Sequence, residues 1–310
     1  MGLVGPASAS FLSDEVAIAT EVLAALGLKA RVGPHAYDRH GYLAGQDRDR
    51  AADINAFFAD PEIKGILAIR GGWGCARVLP YLDYPTIRSH PKVLVGYSDV
   101  TALHTAIQAR TGLVTFHGPT ALDEWSPFAV EAFRRVVFEG QAAVLANPAP
   151  DASEALVPRG ERIRAITPGR ARGRLLGGNL TVLTAILGSP YVPDFEGAIL
   201  FVEDIREYLY RVDRMLTQLS LAGILGRIRG FVFGRCTTCD PDPDSYGSLT
   251  LEEILEDHVK PLGIPAFEGA AIGHVPRQYT VPIGIEAELD AERGTLTLLE
   301  PAVARGPGNL

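Results

Sequence analysis

Short, nearly continuous apolar runs alternate with longer amphipathic stretches through the first 118 residues of this chain. Leu3-Val4 precedes a predicted helix starting near Ser13, with Asp14 and Glu15 in its first turn and Gly27 as its stop. Arg31-Val32 leads to a second predicted helix over 47–58. The run Gly65-Ile66-Leu67-Ala68-Ile69 ends in Arg70-Gly71-Gly72-Trp73-Gly74, and a short helix follows. Val93-Leu94-Val95 then closes at Gly96-Tyr97-Ser98-Asp99 and opens a helix over 100–110, and Leu113-Val114-Thr115-Phe116 ends at His117-Gly118-Pro119. Strands without polar alternation, interleaved with helices, predict an α/β fold with a doubly wound parallel sheet covered on both faces. Sites in such sheets lie beyond the carboxyl ends of the strands, where the Gly-rich loop and the Ser98 turn both fall.

The pattern breaks between 141 and 168, where Ala, Pro and scattered charge predict an interdomain linker. This divides the chain into an N-terminal domain over 1–140 and a C-terminal domain over 169–310. The second part opens with a strand and a glycine turn over 172–179 and a helix over 180–187. Ala198-Ile199-Leu200-Phe201-Val202 predicts a buried strand delivering Glu203 and Asp204. A long helix over 210–222, a strand over 230–233 ending at Gly234-Arg235, and a helix over 251–259 lead to Ile272-Gly273-His274-Val275-Pro276. Residues 285–289 and 295–299 alternate like a hairpin turning near Glu292-Arg293-Gly294.

The chain has 310 residues, 47% hydrophobic and 21% charged, with a net charge of −8. That charge, with no run of Lys or Arg, argues against nucleic acid. No apolar stretch spans a bilayer. Met1-Gly2-Leu3-Val4-Gly5-Pro6 lacks the layout of a secretion signal and reads as the tail of a first strand, as if the chain had been trimmed. Three cysteines cannot build a disulfide framework, so a reduced, cytoplasmic protein is expected. Cys236 and Cys239 have the spacing of a zinc or redox pair, but no second pair of ligands lies near, and a turn after a buried strand is the simpler reading. No metal or cofactor is expected.

A serine hydroxyl is a weak nucleophile at neutral pH and needs a base, itself oriented by a third group. Ser98 stands on a strand-to-helix turn, where its hydroxyl is exposed and the next N–H faces whatever the hydroxyl attacks. The turn is not a full G-x-S-x-G, because Val100 replaces the second glycine, which argues against an α/β-hydrolase proper. Of seven histidines, His117 and His274 each follow an apolar run beside a glycine; either could be the base or a histidine satisfied in a turn. Glu203 and Asp204 are likewise alternatives for the acid, because neighbouring strand residues point to opposite faces. The Asp99 side chain reads as a cap of its own helix, with its backbone N–H free to serve chemistry. Gly72 can supply a second donor to a developing oxyanion. Trp73 is either a substrate-facing aromatic or a loop anchor.

Seven segments together resemble the LD-carboxypeptidases, a serine peptidase family that also contains the microcin C self-immunity hydrolases. They are Arg70–Gly74, Gly96–Asp99, Thr115–Pro119, Gly173–Asn179, Phe201–Asp204, Gly234–Cys236 and Ile272–His274, in the family's order. The resemblance implies a Ser98–His274–Glu203 triad with oxyanion donors at Gly72 and Asp99. It implies a Rossmann-like N-terminal domain carrying the nucleophile and a smaller, strand-rich C-terminal domain carrying the acid and base, in a homodimer. The implied reaction releases terminal D-alanine from cytoplasmic murein tetrapeptide, without a metal. Hydrolysis of peptidyl- or aminoacyl-nucleotide amides is the alternative, and a non-catalytic ligand-binding protein a further one. Family members commonly carry Tyr where this chain has Trp73. A carboxypeptidase must also hold a free carboxylate, a task suited to arginine. Arg70, Arg174 and Arg235, read as strand-end residues, are the candidates, with Trp73 and His117 as further substrate contacts.

Overall fold

In the computed structural model the apolar runs of the first 118 residues form five parallel strands: β1 (Gly2–Val4), β2 (Arg31–Val32), β3 (Gly65–Ala68), β4 (Val93–Gly96) and β5 (Thr115–His117). The structure describes residues 1–10, 12, 14–149 and 162–304. Among the described residues nine more strands follow: β6 (Val144–Leu145), β7 (Arg164–Thr167), β8 (Arg170–Asn179), β9 (Ile199–Ile205), β10 (Gly230–Thr237), β11 (Ala266–Glu268), β12 (Val281–Ile283), β13 (Glu286–Asp290) and β14 (Thr295–Leu298).

The first sheet has the order β12-β5-β4-β3-β1-β2. Strand order reverses between β1 and β3, so the crevice of this sheet opens at their carboxyl ends. The segment after β1 carries Ser8, whose N–H donates to the carbonyl of Gly71 in the loop after β3 (3.4 Å). β3 and β4 are almost wholly buried, which is why they read as unbroken apolar runs. The second sheet has the order β6-β14-β13-β8-β9-β10-β11-β7; β8 to β11 are parallel and their flanking strands antiparallel. The expected hairpin is present, with Ala287 opposite Leu298 and Asp290 opposite Thr295.

The chain packs as two compact units. One comprises Met1–Trp125, Gly188–Pro193 and Pro282–Gly284; the other comprises Ser126–Leu187, Asp194–Val281 and the chain from Ile285 onward. Of the expected linker over 141–168, residues 150–161 lie outside the described residues, while β6 and β7 lie on its described flanks.

Three local expectations are corrected. Gly177-Gly178 is not a turn, because β8 runs straight through it. A Cβ on Gly177 would stand 1.7 Å from the Phe201 carbonyl oxygen of β9, so the glycines permit close strand approach at positive φ. Cys236 and Cys239 are joined by a disulfide across a Cα–Cα distance of 5.4 Å, so this pair is neither reduced nor an open metal site. Arg174 and Arg235 stand inside β8 and β10, not at strand ends. Among the described residues no helix is long and apolar enough to cross a membrane.

Candidate active site

In the first unit, β4 ends at Gly96, where a Cβ would press on Val100 and Ala68 at 3.0–3.1 Å. The chain then turns sharply: Tyr97 is extended and Ser98 has φ +61°, a left-handed conformation that costs a non-glycine residue free energy. A 3-10 turn over Ser98–Val100 leads into the helix Thr101–Thr111. A strained serine between strand and helix is the geometry of a presented nucleophile, without the second glycine of the usual motif. The buried ring of His104 lies 2.8 Å from the Gly96 carbonyl through Nε2 and braces the strand end. Burial pulls its pKa down to about 4, which keeps it neutral.

The Gly-rich loop lies against this turn. A Cβ on Gly71 would stand 2.9 Å from Ser98 Cβ, and one on Gly72, at φ +117°, would stand 2.2 Å from Ser8 Oγ. The Trp73 N–H donates to Ser8 Oγ (3.1 Å), and Arg50, fully buried, donates to the Gly74 carbonyl (3.0 Å). Asp99 does not cap its own helix. Its Oδ2 accepts from the Cys75 N–H (2.7 Å), at the start of the short helix Cys75–Val78. Burial raises the Asp99 pKa above its ordinary value. Trp73 is 66% exposed, with its ring edge-on to Tyr42 at 6.2 Å. His117 is fully buried, its ring 5.8 Å from that of Tyr97.

In the second unit, β9 carries Glu203 and Asp204, both buried. Glu203 Oε2 lies 2.8 Å from His274 Nδ1. The approach is close enough that a Cβ on Gly273, at φ +98°, would fall 2.2 Å from that same oxygen. The strand-face ambiguity thus resolves within this unit: Glu203 meets the imidazole, whereas Asp204 accepts from the N–H and hydroxyl of Thr181 (2.9 and 2.8 Å). Sequence reasoning overlooked two supporting residues. Asn179 donates through Nδ2 to Glu203 Oε1 (3.2 Å) and Asp204 Oδ1 (3.0 Å), while its Oδ1 caps the next helix at Val182 N–H (3.1 Å). Thr237, inside the disulfide-closed Cys236–Cys239 segment, donates from Oγ1 to the His274 carbonyl (2.9 Å). An Asn at a strand-to-helix boundary was the available signal for the first; nothing in the sequence marked the second.

The three arginines differ. Arg70 stands 3.6 Å from Glu15 and donates to the Ala9 carbonyl (3.5 Å). Arg174 donates to the Asp194 carbonyl (3.5 Å). Arg235 lines a 370 Å³ cavity with Ala271, Val275, Pro276 and Arg277, on the flank of the His274 loop. Its N–H donates to the Ile272 carbonyl (3.2 Å).

Comparison with known proteins bears on both halves. The family model described as LD-carboxypeptidase N-terminal domain matches residues 1–118, and that for the LD-carboxypeptidase C-terminal domain matches 172–289. The probable murein peptide carboxypeptidase of Bacillus subtilis is 39% identical over 99% of this chain and 93% of its own length. The murein tetrapeptide carboxypeptidase of Pseudomonas aeruginosa is 32% identical, covering 94% of each. The solved muramoyltetrapeptide carboxypeptidase of Oxalobacter formigenes superposes with a TM-score of 0.81 at 28% identity, covering 96% of this chain and 97% of that one. The wild-type microcin C7 self-immunity protein MccF superposes with a TM-score of 0.86 at 26% identity, covering 98% and 96%.

Proposed function

Because this chain belongs to the LD-carboxypeptidase family, we propose that it releases terminal D-alanine from murein tetrapeptide by serine catalysis. The observation that carries the reading is the buried Glu203 carboxylate set 2.8 Å from His274 Nδ1, with the glycine beside it that lets the two approach. A carboxylate on Nδ1 fixes the tautomer that leaves Nε2 to accept a proton, and it stabilises the imidazolium that forms.

In this reading His274 Nε2 takes the Ser98 proton as Oγ attacks the carbonyl of the L-centre diamino acid. The N–H groups of Gly72 and Asp99 receive the oxyanion. His274 then protonates the departing D-alanine nitrogen as the C–N bond breaks. Water, deprotonated by the same imidazole, attacks the acyl-serine; as the bond from the acyl carbon to Ser98 Oγ breaks, the imidazolium returns the proton to Oγ. Arg235 is the candidate partner for the free carboxylate and Trp73 for the peptide. The reading includes a cytoplasmic location and the homodimer implied by the resemblance, which sedimentation would test. The location rests on the murein-peptide substrate of the resemblance and not on cysteine state, since Cys236 and Cys239 are joined.

The deciding experiment measures D-alanine release from L-Ala-γ-D-Glu-meso-diaminopimelyl-D-Ala by wild type, Ser98→Ala and His274→Ala. Each substitution is expected to lower kcat by about 10³-fold or more, as loss of one member of a cooperating set does. No release by folded wild type, with cleavage of an aminoacyl-nucleotide amide instead, would overturn the murein assignment.

A further inference from the structure

Asp99 offers a second use. An oxyanion hole built from two backbone N–H groups works only if both point at one oxygen, and tenths of an ångström matter. Here the two proposed donors belong to different segments, Gly72 on the loop after β3 and Asp99 on the turn after β4. Three side chains hold the Gly71–Cys75 segment: Ser8 at Trp73 N–H, Arg50 at the Gly74 carbonyl, and Asp99 at Cys75 N–H. Of these, only Asp99 comes from the nucleophile's own turn.

We infer that Asp99 is a positioning residue, whose side chain fixes the loop carrying one oxyanion donor while its backbone supplies the other. This rests on the reading of Ser98 as nucleophile. Asp99 is only 7% exposed, and the bond its carboxylate accepts from Cys75 is short at 2.7 Å. The packing around it leaves no slack: a Cβ on Gly71 would already meet Ser98 Cβ at 2.9 Å, and the Cys75 side chain is fully buried beside Asp99. The loop and the turn are therefore tied together at Asp99 and packed tightly at Gly71. A bond made by an acceptor oxygen, not a need for charge, is what the geometry uses.

The test compares Asp99→Ala, which removes the acceptor, with Asp99→Asn, whose Oδ1 can still accept from Cys75 N–H. Three quantities are read: kcat and KM for D-alanine release, the rate of Ser98 labelling by a fluorophosphonate, and amide hydrogen exchange over 71–75. Asp99→Ala is expected to lose about 100-fold in kcat and in labelling rate, the cost of one misplaced oxyanion donor, with KM nearly unchanged and faster exchange in the loop. Asp99→Asn is expected to stay within about tenfold of wild type with wild-type exchange. The inference is overturned if Asp99→Ala keeps wild-type kcat, if the loss falls on KM alone, or if folded Asp99→Asn loses as much as a true knockout. The last criterion decides the matter even if the alanine variant does not fold. A wild type that labels at Ser98 but releases no D-alanine would sink the murein assignment alone, since labelling rates still judge Asp99. A folded wild type that does neither would take both readings down.

Discussion

Asp204 shows how adjacent carboxyl groups on one strand acquire different chemistry. It is 2% exposed, and burial, reinforced by the neighbouring Glu203 charge, raises its pKa from the ordinary 3.8 to about 6. The sign of the consequence follows from linkage. Between about pH 4 and 6 the unfolded chain has released this proton and the folded chain still holds it, so stability falls as pH rises through that window, by about 3 kcal/mol in all. Urea unfolding of wild type and Asp204→Asn at pH 4 and pH 7.5 isolates the effect of Asp204 and its coupling to Glu203, because titrations of groups uncoupled to Asp204 cancel in the difference. The gap between them is expected to shift by about 2–3 kcal/mol in the variant's favour at the higher pH. A gap that does not change with pH would show that Asp204 titrates normally. Retention of this costly group is explained by its bonds, since it holds Thr181 and shares the Asn179 amide with Glu203.

At the scale of elements, the candidate residues are placed by strand ends and by the glycines next to them. Gly273 illustrates this best. Its positive φ and the 2.2 Å separation between a hypothetical Cβ and Glu203 Oε2 mean that alanine cannot be added without moving the carboxylate. Gly273→Ala is expected to cost about 1–3 kcal/mol of stability. On the proposed mechanism, displacing the carboxylate set against His274 should also lower kcat by about 100-fold with KM little changed. Steady-state kinetics beside a thermal melt would check both, and a variant with wild-type kcat would separate Glu203 from the chemistry. The parallel strands, the Ser98 turn and the Gly-Gly loop were legible because buried strands, strand-to-helix turns and positive-φ positions each restrict residue choice locally. Other features were not legible for a physical reason. The Gly177-Gly178 pair read as a turn because close approach between strands leaves the same signature as a bend. Pattern alone leaves Glu203 and Asp204 as alternatives, and the resemblance selects Glu203; that choice and the Asn179 and Thr237 supports depend on which distant segment each side chain meets.

At the scale of the whole molecule, the boundary between units does not follow a single cut in the chain. The first unit includes Gly188–Pro193, where Tyr191 stacks on Tyr84 at 6.1 Å, and Pro282–Gly284, which belongs to β12 and its end. β12 is the edge strand beside β5, and its proline suits an edge, because proline donates no ladder hydrogen bond. A local sequence reading has no access to such a return, since three residues of strand carry little pattern of their own. The consequence is testable. A fragment of residues 1–125 lacks both returning segments and leaves the outer edge of Thr115–His117 unpaired, an open template for association. This fragment is expected to unfold at lower urea with a shallower slope than the full chain, and to self-associate on gel filtration. A permuted version appending residues 280–285 through a flexible linker should recover part of both losses, because it restores the missing edge strand. If fragment 1–125 unfolds as cooperatively as the full chain and runs as a monomer, the returning strand contributes nothing essential. The unit carrying Ser98 would then be complete in the first 125 residues.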